Sequence, residues 1–326
     1  MIDDINTAVL EQILRTIPDN VKPVGFFMDV LDISRESAYR RLRGEKPLSF
    51  GEIYKLASEL DLSLDEMAGY NRPKTAVFNF VGDLTKEPEK NLLEFLQYYE
   101  GFLSKLVAAN NSEVVLTVNR LLHIMICGYD QLTKFVYYRW YHQINESPVN
   151  NQYAKFIIPE EIFEVSQRIV KLLPRLHKIS YIIDNNLFLN TVKDIQYFYV
   201  RGLITPDELN LIKEDYLRFL NTSELSARKG LDHHGNVTDI YLSVFDITNS
   251  TTYTTWNNIA ESAFWQSPAY PLMTRNKEIT TRHRAWIDSM KKYTTVISQS
   301  NELQRADFFN KQRGHINNLS DKILLL

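Results

Sequence analysis

The stretch Ile33-Ser34-Arg35-Glu36-Ser37-Ala38-Tyr39-Arg40-Arg41-Leu42-Arg43-Gly44-Glu45-Lys46-Pro47-Leu48-Ser49-Phe50-Gly51-Glu52-Ile53-Tyr54-Lys55-Leu56-Ala57-Ser58-Glu59-Leu60-Asp61-Leu62-Ser63-Leu64-Asp65-Glu66-Met67 packs several helix starts and one arginine-rich helix into a single run. A Ser whose hydroxyl accepts from free backbone N–H groups, followed three residues later by Glu, forms a capping box. Ser49 with Glu52 and Ser63 with Glu66 fit that pattern. Ser34 is the candidate cap of a helix from Arg35 to Arg43. Its third helical position is Ser37, so this start rests on one hydrogen bond. Gly44 then ends the helix, because glycine takes the left-handed conformation without a steric penalty.

Upstream, Pro23 suits a first helical turn, and Phe26, Phe27, Val30 and Leu31 give a short helix an apolar face that ends near Asp32. Two helices separated by about three residues follow from these signals. On the second, at about 100° per residue, Ala38 and Leu42 point together toward the preceding helix, while Glu36, Tyr39, Arg40 and Arg43 fan out opposite. A helix of this width fits the DNA major groove, and arginine is shaped to take guanine through two hydrogen bonds. Arg40 is the first choice for base reading. Arg35, Arg41, Arg43 and Lys46 are assigned to phosphates, with the capped N-terminus at Ser34 adding a backbone contact; Ser37 completes the candidate set.

Residues 23 to 68 resemble the helix-turn-helix domain of the phage-repressor (Cro-like, XRE) type. In that family a leucine, a turn and a valine or isoleucine followed by serine open the recognition helix, glycine closes it, and a proline-led run supplies the next two helices. Leu31, Ile33, Ser34, Gly44, Pro47, Leu56, Ala57, Leu60, Ser63, Leu64 and Asp65 fall on those places. The departures are Met28 where a small Ala is usual, Asp32 where the turn usually has Gly, and Arg41 at a position that is often apolar. The resemblance covers under a fifth of the chain. It implies a DNA-binding transcriptional regulator that binds two half-sites as a symmetric pair.

The charge balance runs the other way. Residues 1–70 hold eight Lys or Arg and thirteen Asp or Glu, a net of −5, which is not the basic balance usual for a DNA-binding domain. The charge is segregated, however: Arg35 to Lys46 holds five basic and two acidic residues. Acid elsewhere weakens non-specific binding and leaves the local patch to act.

The chain has 326 residues, about 250 more than a helix-turn-helix needs. Composition is 44% hydrophobic and 24% charged with a formal net charge of −3, as expected of a globular protein. A single cysteine, Cys127, rules out an intrachain disulfide and fits a reducing cytoplasm. No charged-then-apolar leader opens the chain, and no apolar run approaches the ~20 residues that cross a bilayer, so no membrane role is expected. H-E-x-x-H, G-x-S-x-G, C-x-x-C and G-K-[ST] are all missing, which disfavours the common motif-bearing enzymes. The expectation is a non-enzyme without a metal or cofactor.

Beyond residue 70, Asn71-Arg72-Pro73-Lys74 reads as a linker, and Thr75 to Val81 is short and β-prone. From Pro88 to Ala109, Leu92, Phe95, Leu96, Tyr99, Phe102, Leu103 and Leu106 recur at helical spacing. That face is read either as core or, through Leu92, Tyr99, Phe102 and Leu106, as a dimer seam. Leu121 to Ile144 carries the aromatics Phe135, Tyr137, Tyr138, Trp140 and Tyr141, which suit a core or a ligand pocket. Pro159 to Leu173 is amphipathic, Asn190 to Arg201 is closed by Gly202, and Thr205, Pro206 and Glu208 start a helix leading to Leu220.

After Gly230, Asp232 to Asn236 is turn chemistry. Val237 to Ile247 alternates and Thr251 to Trp256 forms a second strand, so a small antiparallel sheet beside helices is expected. His233 and His234 read as an exposed turn rather than a metal site. Met273 to Leu326 holds ten Lys or Arg against five Asp or Glu, either a solvated face or a second anionic contact.

The expected fold class is therefore mainly α: a five-helix helix-turn-helix domain over 1–70, a linker over 71–74, a mainly helical domain over 75–230 and a small α+β part over 231–326, either separate or one domain with 75–230. The expected function is a cytoplasmic, sequence-specific DNA-binding regulator acting on double-stranded DNA as a homodimer, with room for a small-molecule effector. A protein-interaction adaptor, or an enzyme regulated by its N-terminal domain, stands as the alternative.

Overall fold

In the computed structural model the described residues are 2–18, 21–60, 62, 64, 76–81, 87–144, 151–232, 235–267 and 270–320. The linker at 71–74, the Ser63/Glu66 helix start and His233 with His234 lie outside them. Four N-terminal helices, α1 (Ile2–Thr16), α2 (Pro23–Leu31), α3 (Arg35–Leu42) and α4 (Phe50–Glu59), enclose their own core. Val9 and Ile13 from α1, Phe27 and Leu31 from α2, Ala38 from α3 and Leu56 and Ala57 from α4 meet there, all buried.

Local chemistry accounts for the helix limits. Pro23 opens α2, and Asp32 closes it in the left-handed conformation at φ 54°, which a short polar side chain tolerates. Ser34 caps α3 alone by accepting from the Ser37 amide, whereas Ser49 and Glu52 form the reciprocal capping box of α4. Gly44 sits at φ 74° just past α3.

The rest of the chain corrects the expected mainly α class. It builds a seven-stranded mixed sheet in the order β6-β5-β4-β1-β2-β3-β7. The strands are β1 (Ser112–Val118), β2 (Lys178–Ile183), β3 (Val237–Ser243), β4 (Thr251–Trp256), β5 (Ile259–Ser267), β6 (Tyr270–Thr274) and β7 (Thr294–Val296). β1, β2 and β3 run parallel, and β4 to β6 extend the sheet as an antiparallel meander from the β1 edge. Two of the three parallel strands come from the region read as helical. One sheet thus spans 112–296, and residues 231–326 are no separate small part.

The helices fill the connections. α5 (Pro88–Ala108) precedes β1. α6 (His123–Ile126), α7 (Asp130–Ile144) and α8 (Glu160–Leu172) carry the chain to β2, and α9 (Leu187–Val200) and α10 (Pro206–Lys229) carry it to β3. Successive crossovers of one hand, advancing in one direction, place their helices on one face of the sheet. That face, with Val114, Leu116, Val118, Ile179, Ile183 and Ile240, shares the main core with α5 to α10 and with α12 (Glu302–Asn317). On the other face Val115, Ile182 and Tyr253 pack against Ile287 of α11 (Lys277–Lys291). The central strands are buried on both faces and so lack the alternation that marks a half-buried strand.

This packing also corrects the dimer seam. Leu92 and Leu106 are buried in the main core, and Tyr99 and Phe102 pack against it, with Phe102 edge-on to Trp256 of β4 at 5.4 Å. The apolar face of α5 is used inside its own domain. The aromatics of α7 are likewise core: Phe135, Tyr137, Tyr138 and Trp140 are all buried. The β-prone segment near residue 80 adds one antiparallel bridge, Asn79 to Met273, at the β6 edge.

Candidate nucleic-acid interface

α3 presents its polar residues on one exposed face. Ser34, Arg35, Glu36, Tyr39, Arg40, Arg43 and Lys46 are exposed, Ser37 is half-buried beneath the first turn, and Ala38 is fully buried in the core. Tyr39 lies between two guanidiniums, with Arg35 at 5.8 Å and Arg43 at 5.6 Å from its ring centroid. This i, i+4, i+8 stripe holds two cations against one aromatic ring and reduces their freedom. Arg43 also pairs with Glu45 at 3.1 Å, an exposed contact. The Arg40 carbonyl accepts from the Lys46 amide at 3.2 Å, while among the described residues its guanidinium makes no ion pair or hydrogen bond and is available to a ligand.

Arg41 is the exception in the expected phosphate-binding set. Its side chain is only 5% exposed and turns inward, where Nε donates to Glu52 Oε1 at 3.0 Å, Nη2 makes a second, shorter contact to the same oxygen, and Nη1 donates to the Ser37 carbonyl at 3.0 Å. It cannot reach a phosphate from there. The position that is often apolar in the resembled family is here held by an ion pair. Burial alone would raise the Glu52 carboxyl, but bonds from Arg41 and the Ser49 amide outweigh it and hold it below its ordinary value. Glu52 therefore ties α3 to the N-terminus of α4.

Constellations suggestive of catalysis resolve into structural ties. In the helical layer, His123 Nδ1 lies 2.7 Å from the Tyr137 hydroxyl and Nε2 lies 3.5 Å from Ser166 Oγ. Ser166 donates its own proton to the Ile162 carbonyl at 2.8 Å. The ring is therefore a donor to Ser166 and an acceptor from Tyr137, the reverse of a base activating a nucleophile. Burial lowers the His123 pKa to about 4, which keeps it neutral. Cys127 is buried and its thiol is pushed up to about 12, far from a reactive thiolate. Asp215, also buried, accepts the Gln131 and Leu132 amides at the start of α7 and pairs with Arg218. Asp194 bridges Arg120 at 2.9 Å and Arg139 at 3.0 Å through one oxygen.

Against the sheet's other face, His283 lies 2.9 Å from Thr251 Oγ1 and 2.8 Å from Ser262 Oγ, and burial lowers its pKa to about 4. It joins α11 to two strands. Of the basic C-terminal residues, Arg282 and Arg284 are engaged in ion pairs with Glu278, Glu113 and Asp288. Among the described residues no cluster of three or more His, Cys, Asp or Glu has metal-binding geometry, and no helix is long and apolar enough to cross a membrane.

The sequence reading passed over a cavity beneath β2 and β3, lined by Tyr181, Asp232 and the hydroxyl residues Thr222, Ser223 and Ser226 of α10. The available signal was the polar break in the otherwise apolar face of that helix, between Phe219 and Ala227. Compared with known proteins, the chain matches no family model, no curated protein and no solved structure.

Proposed function

We propose that this protein is a sequence-specific DNA-binding transcriptional regulator whose N-terminal domain reads an operator through α3. The carrying observation is the exposed face of Arg35, Glu36, Tyr39, Arg40 and Arg43, presented by a capped helix whose opposite side is anchored by Ala38 and the Arg41–Glu52 pair. In this reading Arg40 takes a base edge in the major groove, while Arg35, Arg43 and Lys46 neutralise phosphates and the free amides at Ser34 receive one more. A homodimer in the cytoplasm, binding two half-sites about one helical turn apart, completes the reading. The large sheet domain supplies the bulk for pairing and for effector control, which requires an effector to favour one arrangement of the two α3 helices over another.

The net charge of −5 over residues 1–70 supports a second reading, an adaptor whose helical domain binds protein instead. Selection of bound sequences from a random duplex library at two salt concentrations separates them. The regulator yields a motif, palindromic if the protein pairs; the adaptor yields none and shows no salt-dependent DNA affinity.

A further inference from the structure

Helices α7 and α9 meet through Phe198, whose ring lies 5.0 Å from that of Tyr138 and 5.3 Å from that of His142. Beside this contact each helix turns residues at i, i+3 and i+4 toward a shared cleft: Arg139, His142 and Gln143 from α7, and Asp194, Tyr197 and Phe198 from α9. Its volume is about 360 Å³, inside the range of roughly 300–1,000 Å³ usual for small-molecule sites. Phe198 and Leu203, both buried, form its apolar wall.

Arg139 sets the chemistry of the cleft. Its side chain is only 10% exposed, yet the one side-chain bond it makes among the described residues runs from Nη1 to Asp194 Oδ2, at 3.0 Å. Nε and Nη2 have no partner there, and neither is sealed from solvent, so both open on the cleft that Arg139 borders. Those two nitrogens form the side-on edge of the guanidinium, which takes the two oxygens of a carboxylate in parallel. Enclosed donors of a charged group are ordinarily answered by an acceptor, and a ligand supplies one here.

The charge balance agrees. The charged groups acting on Arg139 are Asp194 and Arg120. Asp194 also borders the cleft, but its Oδ2 serves Arg120 at 2.9 Å as well as Arg139, so two cations share one anion. Arg201, stacked 3.6 Å over the exposed Tyr197 ring, adds positive potential at the rim. His142 adds no charge: burial lowers its pKa, and Nε2 donates to the Asn151 carbonyl at 3.3 Å. One surplus positive charge beside an apolar wall suits a monoanion with a hydrocarbon body better than a phosphate dianion.

We propose that this cleft binds a small organic monocarboxylate, with the carboxylate on the Nε–Nη2 edge of Arg139 and a compact apolar body against Phe198 and Leu203. All of it lies in the sheet domain, independent of DNA reading.

Calorimetric titration of the full-length chain with benzoate, benzamide and inorganic phosphate tests the proposal. Benzoate is expected to bind at least about tenfold more tightly than its neutral isostere benzamide, the value of one charge-assisted hydrogen bond, and more tightly than phosphate. Arg139→Lys keeps a cation for Asp194 but loses the planar edge, and should bring benzoate down to the level of benzamide. Gln143→Glu changes an exposed position and leaves the buried ion pairs intact, so it is informative even where Arg139→Lys fails to fold. It places a negative charge at the rim and should weaken benzoate about fivefold or more while leaving benzamide unchanged. Benzoate no tighter than benzamide, no benzoate binding at millimolar concentration, phosphate as tight as benzoate, or a benzoate affinity that survives either substitution in folded protein would each overturn the proposal.

Discussion

Arg41 of α3 and Glu52 of α4 form a buried clamp in which the carboxylate accepts from the guanidinium through one oxygen, Oε1, and from the Ser49 amide through the other, Oε2, at 2.9 Å. One side chain thus fixes the orientation of the arginine-rich helix α3 and starts the next. Its two ends are not equivalent. Arg41 is almost fully enclosed, whereas Glu52 keeps 20% of its side chain exposed.

That asymmetry predicts unequal costs. Glu52→Ala strands a buried guanidinium with only the Ser37 carbonyl and removes half of the capping box, so a loss of about 3 kcal/mol or more is expected. Arg41→Met keeps an unbranched side chain in the core and leaves Glu52 partly hydrated with its capping bond, at a cost of about 1 kcal/mol. Urea denaturation of both variants checks this; equal destabilisation would show that the pair is not the clamp described.

On the exposed face, Arg40 and Arg43 should separate in kind. Arg40→Ala is expected to relax base preference at one operator position, costing roughly 1–3 kcal/mol against the preferred sequence, while Arg43→Ala weakens all duplexes alike and lowers the salt slope by about one unit. Binding to preferred and scrambled duplexes at several salt concentrations gives both quantities. Loss of affinity without loss of preference in Arg40→Ala would move the base contact elsewhere.

Helices α2 to α4 were legible because their limits are local: Pro23, Asp32, Ser34, Gly44 and the Ser49/Glu52 box act within a few residues of themselves. Arg41 was misplaced although it follows Ala38 by three residues, a spacing that puts it near the inner side. Charge suggested solvent; a partner eleven positions away decided otherwise. The sheet was hidden for a different reason. Ser112–Val118 and Lys178–Ile183 are short apolar runs buried on both faces, and such runs carry neither period. Their partners are remote, as with Val114 opposite both Ile179 and Thr254. The cavity was equally invisible, since its wall exists only once α10 packs against the sheet.

Gly230 closes α10 at φ 66°, and a Cβ there would meet the Gln299 side chain at 2.3 to 2.6 Å. Gln299 in turn donates its backbone N–H to the Ala227 carbonyl at 2.9 Å and its side-chain Nε2 to the Lys229 carbonyl at 3.0 Å, serving two orphan groups of the helix end. Gly230→Ala combines left-handed strain with displacement of this cap, so a loss of about 2 kcal/mol is expected. Gln299→Ala should cost about 1 kcal/mol, and the double variant less than the sum because the two share one contact. Strict additivity in thermal unfolding would contradict the shared cap.

Acid should loosen the sheet domain through its buried imidazoles. His123 and His283 are held neutral, with pKa values lowered from 6.5 to about 4 by burial. The unfolded chain therefore binds more protons than the folded one between those limits, and stability falls as pH drops from 6.5 toward 4. The stabilisation lost is roughly 3 kcal/mol for the fully enclosed His123 and less for His283. His123→Gln supplies a donor and an acceptor but does not titrate. It should be less stable than the parent at neutral pH, and the gap should close as pH falls through this window. Denaturant midpoints measured from pH 7.5 to 4 test the sign directly: a gap that stays constant would mean that His123 has the same pKa in the fold as in the unfolded chain.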